Sequence, residues 1–183
     1  MEITLITGNM GKLAEFQALL PSVELHSAKA ELTEIQALDI AVVARAKAKE
    51  AFEIIGRPVL VDDSCIIVDE WNGLPGALTS WFLKAVGNQG ILAMAKTVKS
   101  RSARIQTALG YSDGSKTLVF LGEVDGQLSL DERGSNGFGF DAIFVPEGQC
   151  ETLAEMSSER KNEISMRRRA VDEFLNNSSQ IGW

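Results

Sequence analysis

The chain has 183 residues, enough for one domain, or one domain of two lobes, around a buried core. Its hydrophobic fraction of 45% and charged fraction of 23% are ordinary for a globular protein, and a net charge of −7 argues against a nucleic-acid polymer as partner. Cys65 and Cys150 supply neither a disulfide framework nor metal-ligand spacing, no apolar run approaches membrane-spanning length, and no secretory signal is legible, so a cytoplasmic protein is expected.

Ile3 to Thr7 reads as a first strand, ending in the turn-prone Gly8-Asn9-Met10-Gly11. Leu13, Phe16, Leu19 and Leu20 then fall at helical spacing, and Pro21 ends that helix. Val23 to His26 is compatible with a short strand. Ile40 to Ile55 carries an apolar stripe at helical period, closed by Gly56-Arg57-Pro58. The run Pro58 to Val61 reads as a buried strand delivering Asp62 and Asp63 to its end. Strand and helix alternate so far, which predicts an α/β sheet. After the turn Asn72 to Gly76, helices are expected around Leu78 to Ala85 and Ile91 to Val98. Alternation from Ala103 to Tyr111, a turn at Asp113-Gly114, a return strand Leu118 to Val124 and a second turn at Asp125-Gly126 read as a β-meander. A strand over Ala142 to Val145 follows the glycine-rich loop Gly134 to Gly139. A final helical region buries Ile164, Val171, Phe174 and Leu175, and Asn176 to Trp183 reads as frayed.

Four stretches carry chemistry. In Thr7-Gly8-Asn9-Met10-Gly11-Lys12 a strand feeds a loop that opens a helix, so free amides and the helix dipole favour an anion. Lys12 in the first turn opposes that dipole, which suggests a bound anion; an ordinary Asn-Gly turn is the plainer alternative. Asp62 and Asp63 either begin a polar turn or gather a divalent cation, Mg²⁺ being the hard ion that suits phosphate chemistry. Glu34 joins them only if the sheet brings it near; on sequence alone it reads as a solvated acid. The loop through Gly137-Phe138-Gly139-Phe140-Asp141 allows close backbone approach, stacking of Phe138 or Phe140 on a base, worth ~1–3 kcal/mol, and a base N–H contact by Asp141. It is equally a bulged hairpin loop with its aromatics in the core. In Lys161 to Arg167, Ser165 is a helix cap, and Lys161 and Arg167 are candidates for phosphate or base carbonyls.

These stretches, in order and spacing, resemble the inosine triphosphate pyrophosphatase family, which removes aberrant purine nucleoside triphosphates. The matching pieces are Thr7-Gly8-Asn9 with Lys12, Leu32-Thr33-Glu34, Val61-Asp62-Asp63-Ser64, Gly73-Leu74-Pro75-Gly76, Gly137 to Asp141, Ala154-Glu155, and Glu159 to Asn162 through Ser165 and Arg167. The resemblance implies a single α/β domain over residues 1–183, with a long, bent, mixed central sheet and a cleft between two lobes. It implies a homodimer and Mg²⁺-dependent hydrolysis of ITP, dITP or XTP to the monophosphate and pyrophosphate. By the same resemblance Thr7, Gly8, Asn9 and Lys12 hold the triphosphate, with Lys47 a further phosphate contact and Ser64 beside the acids. Glu34 and Asp63, supported by Asp62, ligate the metal, and Asp63 activates water. Trp81, Phe138, Gly139, Phe140, Asp141, Lys161 and Arg167 form the base pocket. Met166 departs from the family pattern, which has a His against the base. Met166 and Arg168 leave open a nucleotide-binding module with reduced catalysis, or a pyrophosphatase of altered base preference.

Overall fold

The strand–helix alternation of the first sixty residues becomes one half of a mixed sheet, and the meander becomes the other. The computed structural model describes residues 2–177 and 179. Among them are strands β1 (Glu2–Ile6), β2 (Glu24–Ala28), β3 (Val59–Val68), β4 (Ser102–Ser112), β5 (Thr117–Leu128) and β6 (Phe144–Pro146). The helices are α1 (Met10–Leu19), α2 (Ile40–Ile55), α3 (Thr79–Met94), α4 (Ser158–Ile164) and α5 (Met166–Asn176). The six strands lie in the order β2-β1-β3-β4-β5-β6. β1 runs parallel to β2 and β3, and every later pairing is antiparallel. The α/β class and the mixed sheet are as expected.

α2 begins and ends where the sequence predicts, and its caps explain why. Asp39 accepts the Ala41 N–H at 2.8 Å, and Gly56 adopts φ 71°, a left-handed stop natural to glycine. Ile40, Ala44, Ala48 and Ala51 pack on Val59, Val61, Cys65 and Ala108, on one face of the sheet. The small side chains let the helix come close: a Cβ on Gly110 of β4 would lie 2.6 Å from the Ala44 carbonyl. α5 covers the opposite face. Its Ala170, Val171 and Phe174 meet Leu60, Leu109, Tyr111 and Phe120, with Phe174 edge-on to Phe120 at 5.4 Å. Consecutive residues of β3 therefore point to different helices, as pleating requires.

Several elements differ from expectation. β3 does not end at Asp62; it runs to Val68 because β4 pairs with all ten of its residues, whereas β1 pairs only with Val59–Val61. The two acids thus sit mid-strand, at the point where the β1 side of β3 falls open. Asp125 and Gly126 lie inside β5 rather than in a turn. Gly126 is there for closeness, since a Cβ would meet the Val145 carbonyl at 2.3 Å. The strand expected from Ala142 is delayed by a 3-10 turn over Asp141–Ile143. The two helices expected here are present, joined within α3 by a kink at Gly87 (φ 65°, ψ −177°). Most of the segment expected to fray lies outside the described residues.

Candidate active site

α1 opens on the loop that follows β1. Thr7 Oγ1 accepts the Asn9 N–H at 3.1 Å, and Asn9 caps the helix by accepting the Lys12 N–H at 3.1 Å. Lys12 extends from the first turn to β3, where its Nζ donates to the Asp62 carbonyl and approaches Asp62 Oδ2, both at 2.7 Å. Much of its counter-charge therefore lies inside the protein. Over Gly8 the surface is open, with only Lys29 Cε within 3.7 Å of where a Cβ would be.

The pleat of β3 separates the acid pair. Asp62 faces α1 and α5, where Arg167 grips it bidentately: Nε donates to Oδ1 and Nη2 to Oδ2, each at 3.1 Å. The Asp62 side chain is 1% exposed and that of Arg167 0%. Burial opposes ionisation of Asp62, but Arg167 and Lys12 outweigh it and hold its carboxyl well below the usual range. Burial likewise opposes the Arg167 charge, and Asp62 and Glu15 reverse that effect, so its pKa is raised. Asp63 faces α2. There Lys47 Nζ donates to Asp63 Oδ1 at 2.7 Å and to Glu34 Oε1 at 2.6 Å, so one ammonium joins the two carboxylates. Burial pushes the Asp63 carboxyl above its ordinary value despite Lys47. The hydrogen bond from Lys47 draws Glu34 below its own. Burial works against the Lys47 charge, and the Asp63 carboxylate overrides it, raising the ammonium's pKa.

Three carboxylates around one ion were expected from Glu34, Asp62 and Asp63. Among the described residues no three His, Cys, Asp or Glu side chains converge in that way. Arg167 takes both oxygens of Asp62. Glu34 and Asp63 suit a hard divalent cation: both are oxygen donors, they already share one cation, and Asp63 Oδ2 is buried with no hydrogen-bond partner among the described residues. They line a cleft of about 590 Å³ with Thr7, Gly8, Lys12, Lys47, Asp62, Ser64 and Trp81. An adjoining cavity of about 350 Å³ shares Thr7, Gly8, Glu34, Lys47, Asp62 and Asp63 and adds Lys29.

Of the residues expected at the base, Asp141, Lys161 and Arg167 belong to a buried lattice of alternating charge. From Arg167 the chain of ion pairs runs to Glu15, from Glu15 to Lys161 at 2.8 Å, and from Lys161 to Asp141 at 2.6 Å. Asp141 Oδ2 also accepts the Phe138 N–H at 2.8 Å, so it holds its own loop. Phe138 rests against Gly11, where a Cβ would come within 2.8 Å of the ring, with Lys161 Nζ 4.7 Å from the ring centroid. Phe140 is buried among Ile143, Phe144 and Leu153 and has no free face for stacking. Gly139 gives its carbonyl to Asn88 at 2.9 Å. Met166, expected against the base, is 2% exposed and packs with Ile66, Ile105 and Val124, because the first residue of α5 turns inward after the Ser165 cap. Ser64 bonds Thr107 at 2.8 Å and accepts from Arg167 at 3.2 Å. Trp81 is 59% exposed on the cleft wall, with Lys84 Nζ 5.2 Å from its ring.

Glu15 was not foreseen. It lies one turn after Lys12 on α1, beside buried Phe16, and an acid on a helix reads by default as solvated. The usable signal was the demand for it: Lys161 and Arg167 exceed the negative charge that Asp62 and Asp141 supply once Lys12 is counted.

The model of the Ham1 family matches residues 3–177. The chain is 40% identical over 180 residues to a protein from Thermococcus kodakarensis named dITP/XTP pyrophosphatase, covering 96% of each chain. It is 39% identical over 178 residues to a Yarrowia lipolytica protein named inosine triphosphate pyrophosphatase, covering 95% of this chain and 94% of that one. A solved HAM1 protein structure from Coxiella burnetii superposes with a TM-score of 0.85 at 28% identity, covering 98% of this chain and 99% of the other.

Proposed function

Because the chain belongs to the Ham1 family, we propose that it cleaves aberrant purine nucleoside triphosphates, namely ITP, dITP and XTP, to the monophosphate and pyrophosphate with Mg²⁺. It is a hydrolase, a nucleoside triphosphate pyrophosphatase. The observation that carries the reading is the cleft in which Glu34 and Asp63 share one ammonium and which Thr7, Gly8 and Lys12 also line.

Glu34 and Asp63 would hold the ion, which when bound neutralises phosphate charge and makes a bound water more acidic. Asp63 orients a water for in-line attack near the α-phosphate and takes its proton. Lys47 balances the two acids in the absence of ligand and turns to the phosphates when they arrive. Lys12 and the loop amides bind the departing pyrophosphate. The lattice behind Asp62 keeps α1, β3 and α5 in register so that loop and acids face one another.

In this reading the chain acts as one domain of two lobes, a homodimer in the cytoplasm. Among the described residues no helix is long and apolar enough to cross a membrane. The experiment is a nucleotide panel with Mg²⁺: pyrophosphate is expected from ITP, dITP and XTP in preference to ATP and GTP. Equal cleavage of all five, or stepwise release of inorganic phosphate, would reject the reading.

A further inference from the structure

Residues 29–39, which carry Glu34, form neither helix nor strand, so no ladder of backbone bonds holds that acid in place. The neighbouring helix does so instead, by two grips on one face of α2. Lys47 donates to the Glu34 carboxylate at 2.6 Å. Glu50 is three residues further on, hence stacked beside Lys47. It accepts the Thr33 N–H on Oε2 at 2.8 Å and the Thr33 hydroxyl on Oε1 at 2.9 Å. The first grip holds the side chain and the second holds the backbone one residue before it.

The two grips do not have the same fate. A divalent ion on Glu34 and Asp63 competes with the Lys47 ammonium for the same oxygens, so the first grip loosens as the ion enters. The second involves neither carboxylate and persists. We propose that Glu50 is the positioning residue for Glu34, clamping Thr33 so that the Glu34 carboxylate stays aimed at the ion after Lys47 has let go. This rests on Glu34 and Asp63 being the ion's ligands. A mere surface tether would hold the segment without affecting what Glu34 binds, and the two are separable by experiment.

The test is titration with Mn²⁺ alone, followed by electron paramagnetic resonance, with the melting temperature measured in parallel. E50A is expected to weaken Mn²⁺ binding about tenfold or more, the usual effect of removing a partner that orients a metal ligand. T33V keeps the N–H bond and loses the hydroxyl bond without altering charge, so it falls between wild type and E50A. E50Q keeps an acceptor oxygen and restores part of the affinity. E53A, an exposed acid one turn away, binds as wild type does. In turnover, E50A raises the half-saturating Mg²⁺ concentration while kcat at saturating Mg²⁺ is kept. Wild-type Mn²⁺ affinity in both E50A and T33V would overturn the proposal. So would E50Q as weak as E50A with T33V unaffected, which assigns the effect to charge. A wild-type protein that takes up no Mn²⁺ would overturn the ligand reading and this inference together.

Discussion

Asp62 and Asp63 are chemically identical neighbours, and their surroundings predict opposite consequences for the same substitution. In Asp62→Asn the carboxylate that answers a fully buried guanidinium is lost, leaving Arg167 with Glu15 as its one carboxylate partner and Lys12 without its ion pair. Breaking a buried pair from one side costs about 3–5 kcal/mol. Against a total stability of about 5–15 kcal/mol this is a large fraction. At roughly 2–4 °C per kcal/mol for a chain of this size, it lowers the melting temperature by roughly 6–20 °C. Asp63→Asn removes a carboxyl that burial already disfavours and leaves Lys47 its bond to Glu34. Its melting temperature should stay within about 4 °C of wild type, while pyrophosphate release falls by ~10²–10⁴-fold, the range for a lost general base. The pH dependence follows from the sign of the Asp62 shift. Its folded pKa is depressed below the ordinary 3.8, so its contribution is complete above that value and drains away as pH falls through the folded one. The gap in melting temperature between wild type and Asp62→Asn should be flat from about pH 5 upward and narrow below about pH 4. Calorimetry across pH with a coupled pyrophosphate assay measures all of this. An Asp62→Asn protein melting within 2 °C of wild type, a threshold below the smallest shift of roughly 6 °C, would refute the reasoning.

Met166→His buries a polar ring among Ile66, Ile105 and Val124, so melting temperature should fall while the order of preference among nucleotides is unchanged; a shift toward 6-keto purines would place residue 166 at the base after all. Gly122→Ala sets a Cβ 1.9 Å from the Met166 carbonyl, a backbone obstruction that no rotamer relieves, and urea denaturation should show a loss of more than about 3 kcal/mol. A thiol reagent at pH 8 should find one fast cysteine, Cys150, because Cys65 is 1% exposed and burial pushes its thiol up to about 12; two fast thiols would contradict that packing.

What the sequence conveyed was local, and what it withheld was relational. α2 was legible to both ends because its apolar stripe begins at Ile40 and its stop signal, Gly56, acts within a residue of the helix. The length of β3 was not, because pairing with β4 draws polar residues into a strand that their own propensities would end. Gly126 read as a turn when its purpose is room for β6. At the site, Thr7, Asn9, Lys12, Glu34, Lys47 and Asp63 were all legible as candidates, since loop, acid and lysine motifs announce their chemistry, and all but Asn9, whose side chain caps α1, line one cleft. The allocation of partners was not legible. Asp62, Asp141, Lys161 and Arg167 read as ligand contacts; that they are also ion-paired through Glu15 was not legible, because Glu15 comes into view only once α1 lies against α4 and α5. Adjacent acids also invite a single shared ion, whereas a strand's two-residue period sends them to opposite faces.

The account depends on which acids hold the ion, and diffraction from crystals soaked in Mn²⁺, recorded for anomalous scattering, tests that directly. The predicted result is a manganese peak bound by Glu34 and Asp63, with Lys47 Nζ withdrawn from between them and Asp62 still on Arg167. A peak bound by Asp62, or one lying away from both Glu34 and Asp63, would contradict it.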